Sequence, residues 1–156
     1  MSRLASLSAK NRATLALTGT TALAPEKIFD IVKATAGEIK GSPMNLLRGG
    51  AQNIGAKIHV EVEQPGVLEL SVNSVGRILE FCTFKARATV AGTTTNIRIG
   101  GLDRYKTTQA KELGLIPIGP KVIAGMEPYR AFLKAVSDKI NTADPSARLT
   151  VAQLGS

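Results

Sequence analysis

Between Lys57 and Ile99, hydrophobic and polar residues alternate with a period of two, the spacing of strands with one buried and one wet face. AKIHVEVE sets Ile58, Val60 and Val62 on one side and Lys57, His59, Glu61 and Glu63 on the other. Gln64-Pro65-Gly66 turns the chain, and VLELSVN repeats the pattern with Leu68, Leu70 and Val72 inward. The two runs predict an antiparallel hairpin. RILEFCTFKARATV predicts a longer strand with Ile78, Cys82, Phe84, Ala86, Ala88 and Val90 on its apolar side. After Ala91-Gly92, Ile97 and Ile99 alternate with Asn96 and Arg98, and Gly100-Gly101 then interrupts the strand as a bulge.

Ahead of this meander, RATLALTGTT reads as a short strand carrying Leu15 and Leu17. PEKIFDIVKATAG follows with helical spacing at Ile28, Phe29, Ile31, Val32 and Thr35. Pro25 suits its first position, Glu26 suits the positive end of the helix dipole, and Gly37 marks its stop. From Glu38 to Gly55 the periodicity is weak; Ser42-Pro43 predicts a short helix through Met44, Leu46 and Leu47, ended by Gly49-Gly50. Beyond the meander, Met126, Tyr129, Phe132, Leu133, Val136 and Ile140 form one helical stripe, with Arg130, Lys134, Asp138 and Lys139 opposite. At about 1.5 Å per residue, Glu127 to Asn141 spans about 22 Å, enough to cross four or five strands.

The sheet needs a partner for its apolar face, and that helix is the only long amphipathic element. The economical architecture is α+β: a curved antiparallel sheet wrapped around a long C-terminal helix, with a helical insertion after strand one. The chain has 156 residues, the size of one domain. Residues 12–141 form that domain, after a flexible leader at 1–11 and before a C-terminal tail at 142–156. The leader is basic and serine-rich without the apolar centre of a secretory signal. In the tail, Pro145 is a breaker and Leu149, Val151 and Leu154 are the residues able to dock. Gly114–Gly125 mixes prolines, glycines and branched aliphatics; too broken for a helix, it reads as a loop closing one end of the hydrophobic interior.

This arrangement resembles the helix-grip fold shared by the START, Bet v 1 and polyketide cyclase-like families. TALAPEKIFDIV is similar to the proline-led start of their first helix, and MEPYRAFLKAVSDKI to their closing helix. The likeness implies a cavity between sheet and helix, lined by Val60, Leu70, Cys82, Phe84, Ile97, Ile99, Met126, Tyr129, Phe132 and Leu133. Such a cavity would hold a lipid-like or aromatic small molecule without chemistry. The same likeness makes Ile116, Ile118, Val122 and Ile123 a gate over its mouth, hinged at Gly119 and Gly125; the alternative is that they plug the end of the core. Those families have six strands after their first helices, and the meander supplies four. The others would come from Tyr105–Thr108 and Leu115–Val122, where Pro117 and Pro120 allow only an edge strand. With no tryptophan in the chain, a cavity would be small or filled by side chains. Cyclase or hydratase activity would need polar residues inside it, for which Asn96, Asp103, Arg104 and Tyr105 are the candidates.

A net charge of +8 raises a second reading, an interaction protein with an anionic partner. The basic residues are dispersed, and the nearest to a cluster is Lys85 and Arg87 with Arg98 on a neighbouring strand. Alternation puts Phe81 on the same outer face, as a stacking platform or a homodimer contact. Glu61, Glu63 and Glu69 face these cations across strands and neutralise part of the charge, which weakens the nucleic-acid version of the reading. His59 lies on the wet face and Cys82 on the apolar one, so no metal site or Cys–His pair is expected. Neither glycine pair is followed by the Lys-Ser/Thr of a phosphate loop. No catalytic residue, cofactor or metal is expected. A single cysteine fits a reducing, cytoplasmic setting, and no apolar run reaches the roughly 18 residues of a membrane span.

Overall fold

Apolar residues recurring on one side of each strand bring six strands edge to edge and leave one oily face for the helices to cover. The computed structural model describes residues 9–39, 55–112 and 116–154, with the backbone alone at 108–112 and 116–121. β1 (Leu15–Thr21) leads into α1 (Pro25–Glu38), and then come β2 (Lys57–Gln64), β3 (Val67–Asn73), β4 (Glu80–Ala91) and β5 (Thr94–Gly100). The short β6 (Arg104–Tyr105), β7 (Thr107–Glu112), β8 (Ile116–Ile123), α2 (Met126–Ala143) and β9 (Arg148–Gln153) complete the order. The result is an α+β protein with a curved, open antiparallel sheet ordered β2-β3-β4-β5-β1-β9, while β6 pairs with β4 beyond the end of β5.

Both helices bury their apolar stripes against this sheet. Ile28, Phe29 and Val32 of α1 and Tyr129, Phe132, Leu133, Val136 and Ile140 of α2 join Leu17, Leu68, Leu70, Phe84, Ile97 and Ile99 in one core. Phe84 is its hub: its ring meets Tyr129 edge-on at 4.9 Å and Phe132 at 5.5 Å. Such pairs add about 0.5–1.5 kcal/mol beyond area burial. Pro25 opens α1 as expected, but Gly37 does not end it; the helix runs to Glu38, and the Ile39 amide bonds the Thr35 carbonyl.

After α2, Asp144 fastens the chain back to the start. Its carboxylate accepts from the Ser146 hydroxyl at 2.6 Å, the Thr21 hydroxyl at 2.6 Å, the Ala22 amide at 2.8 Å and the Ser146 amide at 3.1 Å. These donors, led by Ser146, hold the carboxyl well below the usual carboxylate range.

Several expected boundaries move. Residues 148–153 are not a loose tail but the strand β9, paired with β1 from Thr20↔Arg148 to Leu15↔Gln153. Gly19 permits this, because a Cβ there would collide with the Arg148 carbonyl. Residues 9–11 of the expected flexible leader are helical together with Arg12, and Ala9 is buried against Ala13 and Ile123. The Gly114–Gly125 segment is not an open loop: residues 116–123, including Gly119, form β8, which pairs with β7 in a separate two-stranded ribbon. Its two prolines are tolerated because, among the described residues, β8 pairs on one side only. Ile78 leaves the expected strand; it follows a short 3-10 turn at Val75–Arg77 and is 83% exposed. Val90, near the far end of β4, is also exposed. The helix expected through Met44, Leu46 and Leu47 lies outside the described residues.

Candidate functional site

On the outer face, away from the helices, β4 and β5 pair so that Arg87 lies directly opposite Arg98. Like charges in that position repel. Neither guanidinium has an ion pair or a side-chain hydrogen bond among the described residues. Lys85, two residues along β4, stands 3.8 Å from Glu69 and 4.0 Å from Asp103, distances of weak, solvated pairs. These three cations, with Gly100, Gly101 and Asp103, line a groove of about 370 Å³. A neighbouring groove of about 520 Å³ shares Arg98, Gly101 and Asp103 and adds Lys10, Thr14 and Tyr105.

The groove exists because the chain detours after β5. Gly100 and Gly101 take left-handed φ values of +106° and +72°, conformations open mainly to glycine. The Gly101 amide then reaches the Leu15 carbonyl at 3.1 Å, and the Leu102 amide the Ala13 carbonyl at 2.7 Å. The Asp103 amide returns to β4 through the Thr83 carbonyl at 2.8 Å. From inside, Tyr129 braces the detour: its hydroxyl accepts from the Gly101 amide at 3.0 Å and donates to the Leu15 carbonyl. The expected bulge is therefore a three-residue excursion, Gly101 to Asp103, and it sets Asp103 beside Lys85.

Phe81 does not belong to this face. It is buried in the core cluster, beside Val72 and Gly125. The reason is a β-bulge: Val72 pairs with Cys82 and Asn73 with Glu80, so Phe81 is the extra residue and alternation breaks there. It offers neither a stacking platform nor a dimer contact. Lys85, Arg87 and Arg98 remain outward as expected.

The residues expected to line a cavity do assemble. Leu70, Cys82, Phe84, Ile97, Ile99, Tyr129, Phe132 and Leu133 are buried in one cluster, with Val60 and Met126 partly buried at its margin. They pack on one another. Neither basic groove is lined by them, nor is a third one between α1 and α2 at Lys27, Ile31 and Asp138. Burial pushes the Cys82 thiol up to about 12 and raises the Tyr129 phenol, so both are neutral at physiological pH. Asn96, Asp103, Arg104 and Tyr105 are exposed rather than turned into the interior. Of the gate residues, Val122 is half-buried and Gly125 caps α2 with φ +82°; the side chains of Ile116 and Ile118 lie outside the described residues.

The acids divide as cross-strand partners only in part. Glu69 faces Lys85, whereas Glu61 accepts from Ser71 and Arg77, and Glu63 bonds Lys33 of α1 at 2.9 Å. His59 is held below its ordinary pKa, first by desolvation and then by Arg77. Among the described residues, no three His, Cys, Asp or Glu side chains gather as a metal site, and no helix is long and apolar enough to cross a membrane. Lys10 carries no sequence signal for this site, and the Gly100-Gly101 pair signals only an interrupted strand, not a groove wall. No protein-family model, curated protein or solved structure matches the chain.

Proposed function

We propose that this is a binding protein that recognises an anionic group on the outer face of its sheet. One observation carries the reading: Arg87 and Arg98 sit side by side without an acid between them. Their mutual repulsion is relieved by a ligand oxyanion accepting from both, and guanidinium forks suit phosphate, sulfate or carboxylate oxygens. Lys85 adds a third cation, while Asp103 bounds the groove and disfavours diffuse polyanion coating. A groove of about 370 Å³ matches a compact anionic group presented by a larger partner.

Retention on heparin, eluted with increasing salt, tests this. The wild-type protein should elute late, and the Arg87→Ala/Arg98→Ala double variant clearly earlier, while Arg130→Ala/Lys134→Ala, which removes the same charge from the exposed side of α2, should change little. Equal shifts for groove and helix variants would reduce the effect to net charge and end the proposal.

The helix-grip resemblance supports a second reading, an apolar ligand held between sheet and α2. What favours it is the single continuous apolar interior formed by one sheet face and that helix. Native mass spectrometry after gentle purification tests it through the presence or absence of a bound lipid-sized mass.

A further inference from the structure

The two edges of the sheet are built differently. β2 is guarded: its register slips in a bulge between Val60 and Val62, and Lys57, His59, Glu61 and Glu63 punctuate its length. These are the usual devices that keep an edge from pairing with another chain. β9 has neither a bulge nor more than one charge. Its six residues, RLTVAQ, carry one charge, contain no proline and run in unbroken register along β1. Its other side pairs with no strand among the described residues, and Val151 and Leu154 are 37% and 44% exposed.

We propose that β9 pairs antiparallel with β9 of a second copy, extending the sheet across a twofold axis. Self-pairing fits because an antiparallel strand placed against itself satisfies both unpaired backbone rows at once, and a twofold closes the assembly. Residues directly opposite must share a face, which limits the register. Leu149 and Val151 lie opposite Gly19 and Leu17, on the core side, and Arg148, Thr150 and Ala152 lie outward. Setting Thr150 against the partner's Thr150 places Leu149 against the partner's Val151 twice and Arg148 against the partner's Ala152. The two arginines then stand about 13 Å apart along the ribbon, from about 3.3 Å per residue. Centring on Val151 would instead set Leu149 against the partner's Gln153 and lose both apolar pairs. The contact is small, so the dimer is reversible and concentration-dependent. It does not rest on the anion-binding reading.

The test is sedimentation equilibrium of the full chain from about ten micromolar to about one millimolar, a range bracketing weak dimers. The average mass should climb toward twice that of the monomer. Thr150→Lys should abolish the climb while leaving circular dichroism and thermal midpoint near wild type. Oxidised Thr150→Cys should form a covalent dimer much faster than Thr94→Cys, a control at the exposed β4–β5 turn. The wild type should not cross-link, because Cys82 is buried. A constant monomer mass overturns the proposal, as does a dimer that survives Thr150→Lys or equal cross-linking at 150 and 94.

Discussion

The Tyr129 hydroxyl sits 3.0 Å from the Gly101 amide, on the spot that a side chain at Gly100 would need. The phenol and the glycine are thus two halves of one fitting, which holds the detour that shapes the basic groove. Tyr129→Phe should cost about 1–2 kcal/mol, the range for losing a buried hydrogen-bonding hydroxyl. Gly100→Ala should cost more, because alanine must displace the phenol and adopt φ +106°. Combined, the two should cost less than their sum, since removing the hydroxyl makes room for the methyl. Urea denaturation of both single variants and the double variant measures this coupling, and strict additivity would contradict it.

Phe81 offers a sharper contrast between surface and core. As a buried residue it predicts a loss of about 3–5 kcal/mol for Phe81→Ala. An outward-facing phenylalanine would give a change within about 0.5 kcal/mol. Gly125→Ala should also destabilise, because its added methyl meets Phe81 and Val72 at 3.0 Å and its φ is left-handed. Thermal melts of these variants decide the matter.

The same residue marks how far alternation can be followed. Period-two counting placed Leu70, Phe84, Ile97 and Ile99 inward and Lys85, Arg87 and Arg98 outward because β3, β4 and β5 stay in register there. It failed at Phe81, where one extra residue resets the parity and leaves no trace in composition. The α2 stripe was legible because Tyr129, Phe132, Leu133, Val136 and Ile140 keep helical spacing without interruption. β9 was missed for a different reason. Six residues with two aliphatics carry a strand signal too weak to outweigh Pro145, and what recruits them is Asp144 bonding Thr21 more than a hundred residues away. The groove was half legible: its cations were visible, but the approach of Asp103 to Lys85 depends on a chain path that only the Gly101 and Leu102 backbone bonds fix.

Asp144 makes stability depend on acid. Its folded-state pKa is depressed, so its contribution is fully present above the unfolded value of about 3.9 and is lost as pH falls through the folded value. Asp144→Asn should therefore be less stable than wild type at pH 7. The gap should narrow below about pH 4. Denaturant midpoints at a series of pH values would show this, and a gap independent of pH would mean that the carboxylate charge plays no part.

Arg98→Glu separates what binds from what stabilises. It turns a repulsive cross-strand pair with Arg87 into an attractive one, a change that should raise stability by about 0.2–1 kcal/mol. Asp103, on the same groove, works against part of that gain. Binding should move the other way, with elution from heparin at distinctly lower salt. A site held open for a ligand predicts these opposite signs, because the repulsion that weakens the free protein is what an incoming anion relieves. If thermal midpoint and heparin retention fall together, the arginine pair serves the fold and the groove loses its claim as a binding site.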